Sequence, residues 1–287
     1  MLILRILFYK FFLRFCWLIN SEFNIKIKGI GVASDWIKSG FSFKFKNSAF
    51  YFLPDASRSY GLLPADIANE PETHIFLNDV VNLTSEPIIF VDVGASIGEF
   101  AITMADKSRV ARVYAFEPHP KTFKSLSISA QRLAHKVELI AAAVGEINGE
   151  LEFTASDTSP TGAGVGSVHS GSNIRVPVCK IDDRLKLISN LPIIILMDIE
   201  GGELSAMRGA VEFIATRQPL IIFEYNLISK KFFSLDQIRQ LLFGYSFFRL
   251  QSYTGKLDSD LSDTWNIVAI PGSGSWSNFM EHRHLFA

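Results

Sequence analysis

One short segment limits the fold of this chain more than any other. Ile88-Ile89-Phe90-Val91 is an uninterrupted apolar run, and Asp92-Val93-Gly94-Ala95-Ser96-Ile97-Gly98 follows it directly. A strand that helices cover on both faces has this unbroken apolar character. Gly94 allows the chain to turn sharply and a ligand to approach the backbone, and Gly98 allows the next helix to pack closely. The segment therefore predicts a buried strand, a glycine turn and the start of a helix.

Apolar runs and helical stretches alternate along most of the chain after this segment. Helices are expected at 72–83, 97–106, 120–134 and 203–216. Further strands are expected at 112–116, 137–144, 193–197 and 220–223, with an antiparallel pair at 245–250 and 265–270. Strands that alternate with helices form parallel sheets through right-handed crossovers. The sequence thus predicts an α/β fold with a Rossmann-like, doubly wound, mostly parallel sheet.

The first twenty residues are strongly apolar, but Arg5, Lys10 and Arg14 interrupt them. A membrane-spanning helix needs about 20 consecutive apolar residues, and a signal peptide needs an unbroken apolar core. Neither fits residues 1–20. Two interpretations stay open: a helix whose apolar side packs on the protein, and a basic helix that rests peripherally on a membrane surface.

The rest of the chain divides by pattern. Ile25–Lys28 and 41–46 place apolar residues at every second position, which predicts a small β-rich extension or lid. The predicted divisions are an N-terminal helix at 1–20, the β-rich part at 21–70, a main domain at 71–275 with an inserted hairpin and mobile loop at 151–183, and a tail at 276–287.

Composition narrows the classes of partner and compartment. The net charge of −1 offers no basic field, which argues against a nucleic-acid partner. Cys16 and Cys179 are far apart and belong to no CxxC pair, so they suggest neither a disulfide framework nor a thiolate metal site. A cytoplasmic compartment is expected on this basis. The oligomeric state has no signal in the sequence.

Glu117 adds a second feature to the glycine turn. It lies nineteen positions after Gly98, at the end of the next predicted strand, where a carboxylate can accept hydrogen bonds from two ribose hydroxyls. Dinucleotide enzymes usually carry G-x-G-x-x-G, whereas this chain has Gly94-x-x-x-Gly98 with Asp92 two positions before it. An acid there suits a ligand with an amino group and a sulfonium, which predicts S-adenosylmethionine as the cofactor.

Several stretches resemble one family in both order and spacing. They are Val91 to Phe100, Val113 to Pro120, Ala142 to Gly145, Val176 to Asp183, and Met197 to Ala210, which begins Met197-Asp198-Ile199-Glu200-Gly201-Gly202-Glu203. The chain is similar on these grounds to the FkbM family of S-adenosylmethionine-dependent methyltransferases. The glycine motif is shared by many methyltransferases, but the Asp-x-Glu-Gly-x-Glu element is much more particular.

The resemblance implies a class I methyltransferase fold and a set of cofactor-binding residues. It implies that the glycine turn lines the methionine part, that Glu117 holds the ribose, and that the region around Ala143 lies near adenine. The full expected set is Asp92, Gly94, Ala95, Ser96, Gly98, Glu117, Pro118, Ala143 and Val144. Two positions depart from the family: Ser96 stands where Asn is usual, and Leu196 stands where Lys is usual.

The predicted reacting end is an acidic turn. Asp198 and Glu200 follow the apolar run 193–197, and their spacing points both side chains the same way if the strand continues. Methyl transfer to a hydroxyl needs a nearby base, so Asp198 is the leading candidate for base or substrate positioning. Glu200 and Glu203 are expected to shape the site. Capping of the helix that begins near Glu203 is the alternative for these two residues.

Glu224 and Asn226 end the next predicted strand at the same i, i+2 spacing. Together with Asp198 they could supply oxygen ligands to Mg²⁺, but nothing in the sequence demands a metal, and no metal site is predicted. Polar residues at a substrate-facing strand end are the favoured interpretation. His119 follows Glu117-Pro118 and is expected to begin the next helix rather than to do chemistry.

The sequence thus predicts O-methylation of a hydroxyl on a small-molecule or glycan acceptor, in the range of sugars and secondary metabolites that the resemblance implies. An NAD-dependent oxidoreductase is one alternative, weakened by the missing second glycine of its fingerprint. A noncatalytic partner in glycan assembly is another. Such a protein would have a degraded acidic turn, whereas Asp198, Glu200 and Glu203 are all present.

Overall fold

The computed structural model describes residues 2–23, 40–45, 48–52, 70–155, 172–262 and 264–287. The strands, in chain order, are β1 (Phe41–Phe45), β2 (Ser48–Phe52), β3 (Ile88–Val93), β4 (Val110–Phe116), β5 (Val137–Ile140), β6 (Ala143–Val144), β7 (Gly149–Ala155), β8 (Ser172–Cys179), β9 (Ile193–Met197), β10 (Leu220–Glu224), β11 (Tyr245–Leu250), β12 (Leu257–Asp258) and β13 (Asn266–Pro271). The α-helices are α1 (Leu2–Phe23), α2 (Pro71–Leu83), α3 (Glu99–Ala105), α4 (Pro120–Ala130), α5 (Ile181–Arg184), α6 (Glu203–Arg208), α7 (Val211–Arg217) and α8 (Leu235–Leu241).

Eight of these strands form a central sheet in the order β12-β11-β13-β10-β9-β3-β4-β5. Strands β10, β9, β3, β4 and β5 run parallel, whereas β13, β11 and β12 add antiparallel pairs at one edge. The predicted Rossmann-like, mostly parallel sheet is confirmed. The direction of strand progression reverses at β3, between β9 and β4, and ligands of such sheets bind beyond the strands' carboxyl ends at this point.

Apolar side chains fill both faces of the sheet. Every residue of β3, β9 and β10 is buried, which explains their nearly unbroken apolar sequence. On one face, Phe90 and Leu196 join a core that includes side chains of α2 and α3. On the other face, Val91 and Ile195 join a core that includes side chains of α6 and α7. The polar residues of these strands are therefore exceptions that need partners, and Asp92 is one of them.

Two predicted elements are divided in the structure, in each case with contacts to distant segments. The run predicted as one strand at 137–144 leaves the central sheet after β5, and β6 pairs with β8 instead. The helix predicted at 203–216 breaks into α6 and α7. Asp182 stabilises the break, because its amide donates to the carbonyl of Gly209 and its carboxylate accepts from the amide of Phe213. Local sequence patterns do not contain such contacts.

A second sheet has the order β6-β8-β7, with β7 and β8 antiparallel. Both strands of this pair fall within or beside the predicted insertion at 151–183. Its central part, 156–171, lies outside the described residues. Strand β12 was not predicted, because two residues are too short for an alternating pattern.

The N-terminal part comprises α1 and the antiparallel pair β1–β2. Phe50 is buried, and the amide of Tyr51 donates to Ser129 Oγ at 2.8 Å, so β2 packs against α4. The strand expected at Ile25–Lys28 lies outside the described residues. Among the helices that are described, none combines the length and the apolarity that crossing a membrane requires.

Candidate active site

The glycine turn connects β3 to α3. The amides of Gly94 and Ala95 donate to the carbonyl of Phe116 at 3.0 and 2.9 Å, which joins this turn to the end of β4. Gly94 has φ +88°, a conformation that side chains disfavour. A Cβ at Gly94 would collide with the carbonyl oxygen of Asp198 and lie 2.8 Å from Ile199 Cγ2. The closest approach on this side is therefore made by the protein's own acidic turn.

Glu117 connects the ends of two turns. It is buried, and its Oε2 accepts from the amide of Ser96 at 2.9 Å while its Oε1 accepts from the amide of His119 at 2.7 Å. Burial raises its pKa to about 7, although the two amide donors oppose the shift. His119 Nδ1 in turn accepts from the amides of Lys121 and Thr122, so the prediction that His119 begins the next helix is confirmed.

Asp92 is a buried carboxylate without a partner on one of its oxygens. It is 2% exposed within β3, and its Oδ2 has no hydrogen-bond partner among the described residues. Burial raises its pKa to about 8, and the nearby charge of Glu117 adds to the shift. Its neighbour in the adjacent strand is Leu196, so the residue beside this carboxylate in the sheet is apolar.

We expect Asp92→Asn to change the pH dependence of stability. The native carboxyl has its pKa raised to about 8 from 3.8, so the native state holds the proton more tightly than the unfolded state. Stability is lost as pH rises through this window, by up to about 1.4 kcal/mol per pH unit. The variant lacks this loss. Urea unfolding at pH 6 and 8 should show its advantage over wild type growing by about 2 kcal/mol; a constant difference contradicts the prediction.

The acidic turn after β9 is held by one of its own carboxylates. Glu203 is fully buried, and its Oε1 accepts from the amides of Ile199 and Gly201 at 3.2 and 3.3 Å. Burial raises its pKa to about 7. Glu200 adopts φ +54° and Gly201 φ +103°, and the ring of Phe232 packs against Gly201. Glu203 thus stabilises a strained turn, a contact that favours a supporting role over direct chemistry.

Three carboxylates meet at the carboxyl ends of β9 and β10. Asp198, Glu200 and Glu224 each bring an oxygen within 4.8 Å of the other two. Burial raises the pKa of Asp198 well above its usual value, and Glu224 is the largest of the like charges that add to the shift. Burial likewise raises the pKa of Glu224 to about 8. The sequence predicted Glu224 as a polar residue at a substrate-facing strand end, with a metal ligand as the alternative, and the structure places it beside Asp198.

The side-chain oxygen of Asn226 is not directed at the three carboxylates. Its Oδ1 accepts from the amides of Ile228 and Ser229 at 2.7 and 3.1 Å, and its Nδ2 donates to Glu224 Oε1. The oxygen considered for a metal is therefore occupied by the turn after β10. Asn226 orients Glu224, and Glu200 takes the third place in the carboxylate cluster.

Glu70 is a site residue that the sequence did not reveal. It precedes α2, and its Oε2 accepts from Asn266 Nδ2 at 2.6 Å and from Thr73 Oγ1 at 3.0 Å. Burial raises its pKa to about 7. Its charge acts on Asp198, so it belongs to the same acidic environment. Asn266 begins a strand opposite Glu224, which is a weak signal, but Glu70 has no local signal at all.

The remaining predicted cofactor residues flank this edge of the sheet. Pro118 lies between the ends of β4 and α4, and Gly98 precedes α3, where a Cβ would meet Leu126 Cδ1 at 2.7 Å. Ala143 and Val144 form β6, beyond the end of β5. Their cofactor contacts stay a prediction.

A family model described as the methyltransferase FkbM domain matches residues 92–249, more than half of the chain. The chain belongs to the FkbM methyltransferase family. The matched residues include both the glycine turn and the acidic turn. The hexuronic acid methyltransferase AglP of Haloferax volcanii is 28% identical over 137 residues. The match covers 46% of this chain and 55% of AglP, so the chain spans about half of that relative.

Two solved structures align with the FkbM protein at low sequence identity. Methyltransferase FkbM from Methylobacillus flagellatus KT aligns with a TM-score of 0.47 and 21% identity, over 71% of this chain and 48% of that one. TYW2 of M. jannaschii, solved in complex with AdoMet, aligns with a TM-score of 0.41 and 12% identity, over 81% of this chain and 84% of that one.

Proposed function

We propose that this FkbM protein is an S-adenosylmethionine-dependent O-methyltransferase that acts on a hydroxyl of a sugar, glycan or secondary metabolite. The observation that carries the proposal is the contact between the acidic and glycine turns. The amide of Asp198 donates to the carbonyl of Val93 at 3.0 Å, and the carbonyl of Asp198 abuts Gly94. The backbone of Asp198, whose side chain is half-buried, thus adjoins the turn predicted to hold the cofactor.

The residues at the ends of β3 and β4 fit this cofactor. Each oxygen of Glu117 accepts one backbone N–H, and a carboxylate oxygen can accept two donors, so Glu117 can also bind a ribose diol. The Oδ2 of Asp92 has no partner beneath the glycine turn, and a cationic ligand there would favour the ionised carboxylate that burial otherwise disfavours. When bound, S-adenosylmethionine supplies an electrophilic methyl group on a sulfonium.

Asp198 would act on the acceptor. The acceptor hydroxyl must lose its proton as its oxygen bonds to the methyl carbon, and a carboxylate with a raised pKa can take that proton. Asp198 is held on both sides, by the hydrogen bond to Val93 and by the turn that Glu203 stabilises. Such fixed placement contributes to catalysis by orienting the reacting oxygen.

The charges at the site indicate the class of acceptor better than the substrate named for AglP does. A hexuronic acid, the substrate class named for AglP, carries a carboxylate, and the cluster of Asp198, Glu200 and Glu224 would repel it without a compensating cation. Leu196 also removes a positive charge that the family usually has at this edge. We therefore place neutral sugar hydroxyls first in the acceptor range.

Calorimetry separates the proposed cofactor from NAD and probes Glu117. We expect S-adenosylmethionine to bind and NAD to give no heat. Glu117→Gln should weaken S-adenosylmethionine binding roughly tenfold, because hydrogen bonds to a charged acceptor contribute about 1.5–3 kcal/mol and an amide keeps only part of them. Glu212→Gln, the same change at an exposed position on α7, is the matched control. Binding of NAD instead would replace the proposal with the oxidoreductase alternative.

Methyl transfer itself is tested with fractionated sugar and metabolite acceptors and S-adenosylmethionine carrying a labelled methyl group. Label in an alkali-stable ether supports the O-methyltransferase. Cofactor binding without transfer to any acceptor in the extracts of the source organism would favour the noncatalytic alternative.

A further inference from the structure

The carboxylates of Asp198, Glu200 and Glu224 are arranged as ligands of one ion. One oxygen of each lies within 4.8 Å of the other two. Oxygens bound to a single Mg²⁺ or Ca²⁺ lie up to about 4–5 Å apart, since each bond is about 2.0–2.6 Å long. Like charges this close repel one another unless protons or a cation neutralise them.

Glu224 provides a second, independent observation. It is 5% exposed, its Oε1 accepts from Asn226 Nδ2, and its Oε2 has no hydrogen-bond partner among the described residues. Leaving a buried acceptor unpaired costs about 1–3 kcal/mol, and more if it is charged. The charges that act most strongly on Glu224 come from Glu200, Glu203 and Glu70, all of them carboxylates. A cation is the partner that this oxygen lacks.

The turn that presents Glu200 supports the same conclusion. Glu200 holds a left-handed backbone conformation, which costs a non-glycine residue on the order of 1 kcal/mol. Two hydrogen bonds, from the backbone amides of Ile199 and Gly201 to the Glu203 carboxylate, maintain this conformation. The strained conformation brings a Glu200 oxygen to the other two carboxylates.

We propose that Asp198, Glu200 and Glu224 bind one divalent cation of the hard, oxygen-binding class, with Mg²⁺ as the physiological candidate. An all-oxygen ligand set favours Mg²⁺, Mn²⁺ or Ca²⁺ over softer metals. Resting on the proposed function, the cation would also coordinate the acceptor hydroxyl and hold it at the carboxyl end of β9. Asp198 would then serve as a ligand that positions the acceptor.

Direct titration tests this site in the full chain. After dialysis against EDTA, MgCl₂ and MnCl₂ should each bind with one equivalent by calorimetry, and Mn²⁺ binding should be visible by electron paramagnetic resonance. Glu200→Gln and Glu224→Gln should each weaken Mn²⁺ binding at least tenfold, whereas the exposed Glu212→Gln should leave it unchanged. Glu200 is half-buried, so its variant keeps the test meaningful if Glu224→Gln fails to fold. Absence of binding, or equal binding by all variants, overturns the site.

The site and the proposed function fail in different ways. If EDTA-treated enzyme transfers methyl groups at the full rate and Mg²⁺ does not stimulate it, the proposed cation site is wrong and the proposed methyltransferase activity is supported. If Mn²⁺ binds stoichiometrically and binding depends on Glu224, but no acceptor is methylated, the cation site is supported and the proposed methyl transfer is wrong.

A second inference rests on α1. Six apolar side chains of this helix are between 52% and 75% exposed: Ile3, Leu4, Leu7, Phe8, Phe11 and Phe15. At 100° per residue they fall within an arc of about 140° on one side. Tyr9, which is 2% exposed, lies on the opposite side and faces the protein. The helix therefore presents a largely apolar surface to its surroundings, and the position of Arg14 is the basic one that falls within the same arc.

We infer that this surface of α1 lies on an anionic membrane. The helix contains Arg5, Lys10 and Arg14 and a single acidic residue, Glu22, near its C-terminal end, so its net charge is positive. Anionic lipid headgroups complement that charge while the acyl boundary takes up the apolar arc. A second copy of α1 would bring like charges together instead.

Vesicle flotation tests this surface. The full chain should float with phosphatidylcholine vesicles that contain phosphatidylglycerol, and at least tenfold less with phosphatidylcholine alone. The triple change Leu4→Ser, Phe8→Ser and Phe11→Ser should abolish flotation, whereas Phe243→Ser, at a position 93% exposed elsewhere, should not. No flotation of wild type overturns the inference. So does a dimer in size-exclusion chromatography that the triple change dissociates, because a second copy would then occupy the surface.

Discussion

Asp198→Asn should lower the turnover of methyl transfer by about 10²–10⁴-fold while the affinity for S-adenosylmethionine changes less than about twofold. The asparagine side chain has the same size, and the backbone contacts of this residue with Val93 and Gly94 do not involve its carboxylate. The variant therefore removes the group that acts on the acceptor and leaves the glycine turn intact. A smaller loss would mean that another group takes the proton.

The measurement combines single-turnover rates with calorimetry on the same preparations. Asp236→Asn is the matched control, because it makes the same change on α8, where the side chain is largely exposed. Wild-type turnover in Asp198→Asn refutes any chemical role for the carboxylate. Loss of cofactor binding together with turnover would instead assign this residue to the architecture of the turn.

Asp198→Asn also distinguishes a role of Asp198 as a general base from a role as a metal ligand. If Asp198 holds a cation, excess Mg²⁺ should recover part of the lost turnover, since Glu200 and Glu224 remain as ligands. If it acts only as a base, Mg²⁺ should have no effect on the variant. Both roles predict the loss, and the dependence on Mg²⁺ decides between them.

Sequence patterns predicted the strands of the sheet well because burial on both faces leaves a direct record in composition. The strands at Ile193–Met197 and Tyr245–Leu250 have the predicted bounds. Asp92 and Glu117 could be placed at strand ends for the same reason. Element bounds were mispredicted where a contact with a distant residue determines them, as the contact with Asp182 does at the break between α6 and α7.

The candidate site was only half predictable for the same physical reason. Asp198 and Glu200 stand in a recognisable turn, but their neighbour Glu70 reaches the site through Asn266, a contact across 196 positions. The oxygen of Asn226 could have faced the carboxylates on the evidence of spacing alone, yet it accepts hydrogen bonds from two nearby backbone amides. Side-chain partners of this kind depend on tertiary packing, which single-sequence spacing does not encode.

Gly94→Ala should be strongly destabilising, because the added methyl group meets both backbone strain and a steric collision. At φ +88° an added Cβ costs on the order of 1 kcal/mol in any setting. Here it would also collide with the Asp198 carbonyl, which is backbone and has little room to move. The turn after β9 and the turn after β3 would have to separate. We expect at least about 3 kcal/mol lost from the free energy of unfolding, with no measurable S-adenosylmethionine binding.

Comparison with Gly244→Ala separates the cost of the steric collision from the cost of the backbone strain. Gly244 has φ +81°, nearly that of Gly94, but an added Cβ there meets nothing within 4 Å. Urea unfolding should therefore show a loss of about 1 kcal/mol in Gly244→Ala and a much larger one in Gly94→Ala. Equal losses would show that the acidic turn yields without cost. The difference between the two variants instead measures how firmly the backbone carbonyl of Asp198 is fixed against the turn predicted to hold the cofactor.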